Sequence, residues 1–456
     1  MRVVVVGGGF GGMAAAARLA KMGHQVTLVE RSTSLGGALG RIEVEGHIFD
    51  TGPTHTLLPA VVRDLFRKSG RPLERETELV PLDVVREHRF ADGTRLRLTG
   101  GSRAAQKAEF ETLAPGLGDA WVKLVDPYGT VWERLRRDWI ERPWNPDLAH
   151  PETTRLLAER ATLAAHLERA LPDARARLVA AHPHTVDGHD LTRVPVWAGM
   201  HSYLEQNFGV WTVPGGLGAL GDLMGSRMKT RKVEVLTDTA VLDVVVREGR
   251  AVAVRTADGE IDADAVVVGI DPRHLPSLRR FVRGTATTSL PDQLHLGLRP
   301  GSVLADQFGD ELVGDLVLHG PRAEADVATG RRARRGAGEL LLVRPSGSAP
   351  DDGRAVTVVS RGIAAEQVLD TLAARGVDLR DDIVLSIHRS GTDLAQTWGG
   401  SPLGLAWDGR RTVRRRPGAR TPIAGLHMAG AHATPGSGVP FTGLSGSLVA
   451  QAIGPA

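Results

Sequence analysis

Residues 3–30 read VVVVGGGFGGMAAAARLAKMGHQVTLVE, and the order of residue types in this stretch decides the fold. Val3 to Val6 form a β-branched run of the kind buried on both faces of a parallel sheet, and Met13 to Met22 follow a helical period. Between them stand Gly7, Gly9 and Gly12, with Phe10 and Gly11 in the intervening places. Gly7 permits a tight turn, Gly9 lets the backbone approach a pyrophosphate, and Gly12 brings helix against strand. The helix N-terminus then offers free N–H groups and the positive end of its dipole to phosphate oxygens. A second strand, Val26 to Val29, ends at Glu30 and is followed by Arg31. A carboxylate at that point accepts hydrogen bonds from ribose hydroxyls and repels a 2′-phosphate. Strand, turn, helix, strand and acid in this order predict an α/β, Rossmann-type domain for a dinucleotide other than NADP.

The rest of the composition sets bounds. At 456 residues the chain exceeds the roughly 250–300 at which one core stops growing, so two domains are expected. Hydrophobic residues at 42% and charged residues at 24% describe a soluble globular protein, and 55 glycines call for turns and ligand loops. The net charge is only +3, with six lysines and no basic-aromatic module, which argues against nucleic acid as a partner. No cysteine is present, so disulfides, thiolate metal sites and cysteine redox relays are excluded; a cytoplasmic setting is compatible. No stretch approaches about 20 apolar residues, so none is expected to span a membrane.

Beyond Glu30 come Gly36 and Gly37, then Arg41, then HIFDTGPT over residues 47–54, which contains Gly52, Pro53 and Thr54. A nicotinamide domain has no need of a second glycine pair here, whereas a long flavin buried along its length needs further close backbone approaches; the reading is FAD. On Gly7, Gly9, Gly12, Glu30, the Gly36–Gly37 pair and the FDTGPT stretch, the chain resembles the phytoene desaturase-like branch of the FAD-dependent amine oxidase superfamily. YLEQNFGVWTVPGGLGAL (203–220) and GLHMAGAHATPGSGVPFTGLSGSLVAQAI (425–453) extend the resemblance. It implies that the backbone around Val241 meets the adenine. It also implies that the tail returns to the flavin through Gly430, Ala431, Gly438, Val439 and Pro440, ahead of a final helix from about Ser445. The chain departs from the branch at Ala38, where many relatives carry arginine, and at Ala433–Gly436, where they often read Thr-His-Pro-Gly.

These blocks divide the chain into an FAD-binding domain (1–75, 205–275 and 421–456) and a discontinuous substrate domain of mixed sheet and helices (76–204 and 276–420). The expected activity is an FAD-dependent oxidoreductase that removes two hydrogens from an apolar or amphipathic small molecule, an isoprenoid or natural-product intermediate, and returns electrons to oxygen or a quinone. Two alternatives share the architecture: an amine or amino-acid oxidase, and a non-catalytic escort for lipidated proteins. Aromatic residues at 4% are few for a long polyene tunnel, which favours a smaller or more polar substrate. His55, directly after the GPT turn, and His432, after Gly430–Ala431, are the candidate proton-handling groups.

Four further stretches carry alternatives. HPHTVDGHD (182–190) is read as a solvated or tunnel-mouth loop in preference to a metal site. The arginine runs at 331–335 and 410–416 are read as exposed loop charge. Trp132, Leu135 and Trp139 share a helical face beside Arg134, Arg136 and Arg137, either core of the second domain, the preferred reading, or a peripheral membrane contact.

Overall fold

The computed structural model describes residues 1–304, 313–321 and 339–456. Its first layer is a five-stranded, all-parallel sheet with strands in the order Leu426–Met428, Ala265–Val268, Arg2–Val6, Gln25–Val29, Glu234–Leu236. Side chains alternate across a strand. Val3 and Val5 therefore enter one core with Met13, the alanines of helix Phe10–Lys21 and Leu448, while Val4 and Val6 enter another with Val244, Val254 and Leu278. Helices cover the first face: Phe10–Lys21 packs on Val439–Ile453, Ala219–Thr230 and Pro59–Ser69. A three-stranded antiparallel sheet, Asp243–Arg247, Arg250–Arg255 and Glu260–Asp262, covers the second.

The second layer is a seven-stranded mixed sheet, in the order Ile383–Arg389, Asp292–Leu298, Arg354–Arg361, Leu340–Pro345, Val313–Leu318, Val84–Arg89, Arg95–Leu98. The same alternation sorts its residues. Leu296, Leu298, Val356, Val358, Leu341, Val343, Leu316 and Leu318 form an apolar face sealed by helix Val368–Ala374. The opposite face carries Arg86, Asp315, Arg344 and Thr357, with a small apolar cluster of Val317, Leu340, Leu342 and Val359. A helical layer between Arg103 and Phe208 packs around Phe110, Trp121, Trp132 and Trp197.

Three readings change. The final helix runs over Val439–Ile453, six residues earlier than about Ser445; Pro440 lies in its first turn, where a missing N–H costs nothing. His182–Thr185 are not loop: they end helix Ala174–Thr185 with Pro183 inside it, and His182, Pro183, His184 and His189 are buried. Among the described residues no cluster has a metal-binding arrangement. In the second arginine run Arg410–Arg415 is helical, but Arg416 is buried, lies over the Trp407 ring at 4.9 Å and donates to the Pro435 carbonyl at 2.6 Å. The run at 331–335 lies outside the described residues. Trp132, Leu135 and Trp139 are all at most 3% exposed, so this face is core and presents nothing to a bilayer. No described helix is long and apolar enough to cross a membrane.

Candidate active site

A cavity of about 1170 Å³ runs between the two sheets. One wall is the glycine turn. Gly7 has φ +96°, and a Cβ there would stand 2.4 Å from the Ile270 side chain. Gly12 is closer still, with its Cβ position 2.0 Å from the Gly7 carbonyl oxygen, so it seals helix against turn behind the cavity instead of lining it. Gly9 differs: its conformation is ordinary (φ −68°, ψ 169°) and a Cβ there meets nothing within 4 Å. That direction is open space beside the helix N-terminus, whose cap is supplied by no side chain and whose first turn holds no acid. The Gly36 N–H donates to Gly8 O at 2.9 Å, and a Cβ on Gly37 would approach the Gly9 Cα to 3.2 Å, so the second glycine pair lies directly on the first. Backbone N–H groups, a dipole end and space where a side chain would intrude form a cradle that fits a pyrophosphate.

Glu30 lines the same cavity; its two carboxylate oxygens accept from the N–H groups of Gly8 (2.7 Å) and Ser32 (2.8 Å), which fixes the carboxylate at the cradle's edge. Val241, Arg31 and Arg41 also line it. Arg31 donates to the carbonyls of Gln396 and Thr397 at 2.5 and 2.7 Å, while Arg41 pairs with Asp222, so both guanidinium groups are already engaged. Gly11 is tight against the tail, its Cβ position 2.6 Å from the Gly430 Cα. The Gly430 N–H donates to Ser445 Oγ at 2.7 Å, which ties the final helix to the turn that precedes it. Phe10, Gly52, Pro53, Gly430, Ala431, Gly438 and Val439 line the cavity; Thr54 and Pro440, also expected there, do not.

Sequence reasoning missed Asp50, whose buried carboxylate accepts from the N–H groups of Leu217 and Gly218, both at 2.8 Å, and so joins the FDTGPT stretch to the VPGGLGAL stretch at the start of helix Ala219–Thr230. Burial raises this carboxyl to about 6 against those two hydrogen bonds.

The other end of the cavity was legible only in part. His55 lies there, pushed down to about 4 by burial, with Asp315 opposing and Arg344 and Arg86 reinforcing the shift. His432 is 6% exposed and stands 3.9 Å from Asp271; burial takes it to about 4 also, against the pull of Asp271. Both imidazoles are therefore neutral at neutral pH instead of titrating there, because the cavity wall shields them from water. Beside His55 the sheet face contributes two doubly bonded ion pairs that sequence gave no sign of. Arg86 and Glu205 join at 2.5 and 2.8 Å, and Arg344 and Asp315 at 3.0 Å twice. Asp315 and Arg86 are direct neighbours in the parallel ladder. Burial alone would raise Asp315 and Glu205, but Arg344 in the first case and Arg86 in the second hold each carboxyl below its ordinary range. Neither tyrosine reaches this cavity, so no tyrosine cage faces it.

Comparison with known proteins gives this geometry its chemistry. The flavin containing amine oxidoreductase family matches residues 10–454. The chain is 28% identical to a carotenoid 3,4-desaturase of Haloarcula japonica over 99% of its own length and 97% of that protein's. It is 32% identical to a neurosporene-forming phytoene desaturase of Cereibacter sphaeroides over 60% of this chain and 53% of the other. Among solved structures, putrescine oxidase superposes with a TM-score of 0.68 at 18% identity and cyclohexylamine oxidase of Brevibacterium oxydans with 0.65 at 15%, each covering 99% of both chains. At that identity the superpositions speak for the fold. The cradle, the acid at its edge and a match across nearly the whole chain lead to one conclusion: this protein belongs to the flavin containing amine oxidoreductase family and is an FAD-dependent oxidoreductase of the phytoene desaturase-like branch.

Proposed function

We propose that the chain desaturates an isoprenoid or related natural-product intermediate, with the FAD-binding domain drawn from 1–75, 205–275 and 421–456 and the substrate domain from the remainder. The observation that carries this reading is the cavity of about 1170 Å³ that is lined both by the Gly9 cradle and by His55 and the face of the seven-stranded sheet. FAD, when bound, supplies the two-electron acceptor. The chain's own residues position it. Gly7, Gly9, Gly36, Gly37 and the N-terminal N–H groups of helix Phe10–Lys21 hold the pyrophosphate, and Glu30 takes the ribose. Gly430, Ala431, Gly438 and Val439 wall the side where the tail meets Gly11.

His55, neutral above about pH 4, is the group proposed to accept a proton from the substrate side; His432 lines the same cavity. Against the amine-oxidase reading, Glu205 and Asp315 at this end are each taken by an arginine and no tyrosine lines the cavity, while Asp187 is a carboxylate there that an ammonium group could still meet. Oxygen or a quinone is the proposed acceptor for reoxidation.

The test is anaerobic mixing of the yellow protein with a panel of isoprenoids, read as bleaching of the flavin band. Bleaching by a member of the panel, slowed at least about tenfold in His55→Ala with FAD retained, is the expected result. Bleaching by primary amines alone would replace this reading with the oxidase one.

A further inference from the structure

Removal of two hydrogens leaves the protein with a proton to dispose of. One hydrogen departs with its electron pair, which the flavin accepts; the other leaves as a proton, taken up by His55 in the reading above. Burial pushes His55 down to about 4, so it gives that proton up readily and the cavity wall needs a way out to water.

Strand alternation supplies one. In the parallel ladder of Val84–Arg89 and Val313–Leu318, Arg86 stands beside Asp315 and His88 beside Val317. His319 comes next beyond the strand end, its N–H donating to the Arg89 carbonyl at 2.9 Å. Arg86, His88, Asp315, Val317 and His319 therefore share one face of the sheet. Arg86 and Asp315 line the cavity, whereas His319, about 13 Å farther along its strand, is only half-buried. His182, near the end of helix Ala174–Thr185, also lines the cavity and lies over this stripe. Its Nε2 is 3.9 Å from an Asp315 carboxylate oxygen, and its ring meets the His88 ring edge-on with centroids 5.4 Å apart. His88 is fully buried, with its Nδ1 2.9 Å from the His319 Nε2. Cavity, His182, His88, His319 and solvent follow one another as a series of imidazoles.

The chemistry of the series suits proton passage. In the His88–His319 bond one ring donates and the other accepts, and the roles exchange with the tautomer. An imidazole takes a proton on one nitrogen and releases one from the other. The second His88 nitrogen, Nε2, is buried without a hydrogen-bond partner among the described residues, a costly arrangement for a ring that serves only to pack. Burial, then the neighbouring rings together with Arg86 and Arg375, holds His88 low and takes His319 to about 3, while Asp315 and Glu205 pull His182 the other way. A proton on this path is in transit and does not come to rest.

Resting on the desaturase reading for the role of His55, we propose that His182, His88 and His319 form a proton relay between the His55 end of the cavity and solvent. His55 hands its proton to His182 by way of water in the cavity, and it leaves through His88 and His319; each imidazole ends the cycle neutral. By reversibility the same path brings protons inward when electrons reach the flavin without them.

That inward direction gives a test without substrate. FAD-loaded protein, oxygen-free and lightly buffered at mildly alkaline pH, is mixed with excess reduced methyl viologen, a one-electron donor that carries no proton. Two viologen radicals and one proton from water are consumed per flavin; bleaching reports the electrons and an indicator dye reports the proton. In the parent the two signals should keep pace. In His88→Phe, His88→Gln and His319→Ala, proton uptake should trail bleaching by at least about tenfold, and free imidazole should restore the His319→Ala rate. His88→Gln keeps a hydrogen-bonding group but cannot carry a proton, so parent behaviour in that variant would reduce His88 to a structural role. A parent that itself lags, uptake that keeps pace in any of the three variants, failure of imidazole to restore His319→Ala, or a lag in Asp187→Asn as large as theirs overturns the proposal, the last by routing the proton through the cavity carboxylate. The two readings fail separately: an isoprenoid panel that never bleaches the flavin ends the desaturase reading and leaves the viologen result untouched.

Discussion

The Gly9 end and the His55 end of the one cavity are made from different materials. Around Gly9 the surface is backbone: glycines at 7, 9, 36 and 37, a bare helix end, and a single carboxylate pinned by two N–H groups. Around His55 it is side chain, charged and paired. A backbone surface is specified by which residues lack a Cβ, so it is written into consecutive positions. A side-chain surface is specified by where separate elements meet. Arg86 finds Glu205 119 residues away, across a strand and a helix. The first kind of wall tolerates almost no added atoms; the second tolerates exchange of atoms but not loss of charge balance.

Removing one member of a pair should give the largest effect. Glu205→Ala leaves the Arg86 guanidinium buried without its partner, and chemical denaturation should show a loss of about 3–5 kcal/mol. A loss under about 1 kcal/mol would mean that water reaches this wall freely, and the contrast drawn above would collapse.

The glycine wall should split into two behaviours. Gly12→Ala places a methyl group 2.0 Å from a backbone carbonyl oxygen that cannot retreat, and should lower stability by about 3 kcal/mol. Gly9→Val meets no protein atom at its Cβ, so the apoprotein should unfold within about 1 kcal/mol of the parent, yet purify without flavin. A yellow Gly9→Val protein would show that the open space beside Gly9 is not where the pyrophosphate lies.

Acid gives the most distributed effect, spread over six imidazoles. His55, His189, His295 and His432 are pushed down to about 4, and His184 and His319 to about 3, all by burial first. A folded value below the unfolded value of about 6.5 means that the unfolded chain binds more protons between the two. Stability is therefore present above about pH 6.5 and is lost as pH falls toward 4, by up to about 1.4 kcal/mol per pH unit for each such histidine. Asp50 and Asp187, raised to about 6, act in the opposite sense over part of that window and offset only a share of it. The melting temperature should fall steadily from pH 6.5 to 4. A flat profile would show that these imidazoles are hydrated in the folded state.

How much of this the sequence disclosed follows the same division. The βαβ order from Val3 to Glu30 was legible because each glycine's task is local. The start of the final helix was obscured by its own packing. Gly443 and Gly446 resemble turn residues, but a Cβ on Gly446 would come within 2.7 Å of the Ala15 N, so they mark where two helices touch. HPHTVDGHD looked like a loop because proline usually ends a helix, and Pro183 is instead carried inside one. The ion pairs left no trace, since nothing in the neighbourhood of Arg86 names a partner in helix Met200–Phe208.

The contact between helices Phe10–Lys21 and Val439–Ile453 has a consequence for biosynthesis. Ribosomes release the first strand, the cradle and the helix behind it hundreds of residues before the strand Leu426–Met428 and the helix that closes on Gly11 exist. During elongation the apolar side of that early helix and one edge of its sheet have no permanent cover, the state in which nascent chains engage chaperones. The cavity is therefore completed late: until Gly430 settles against Gly11 one of its walls is missing, so a ribosome that stalls before that segment leaves the glycine motif made and the cavity open.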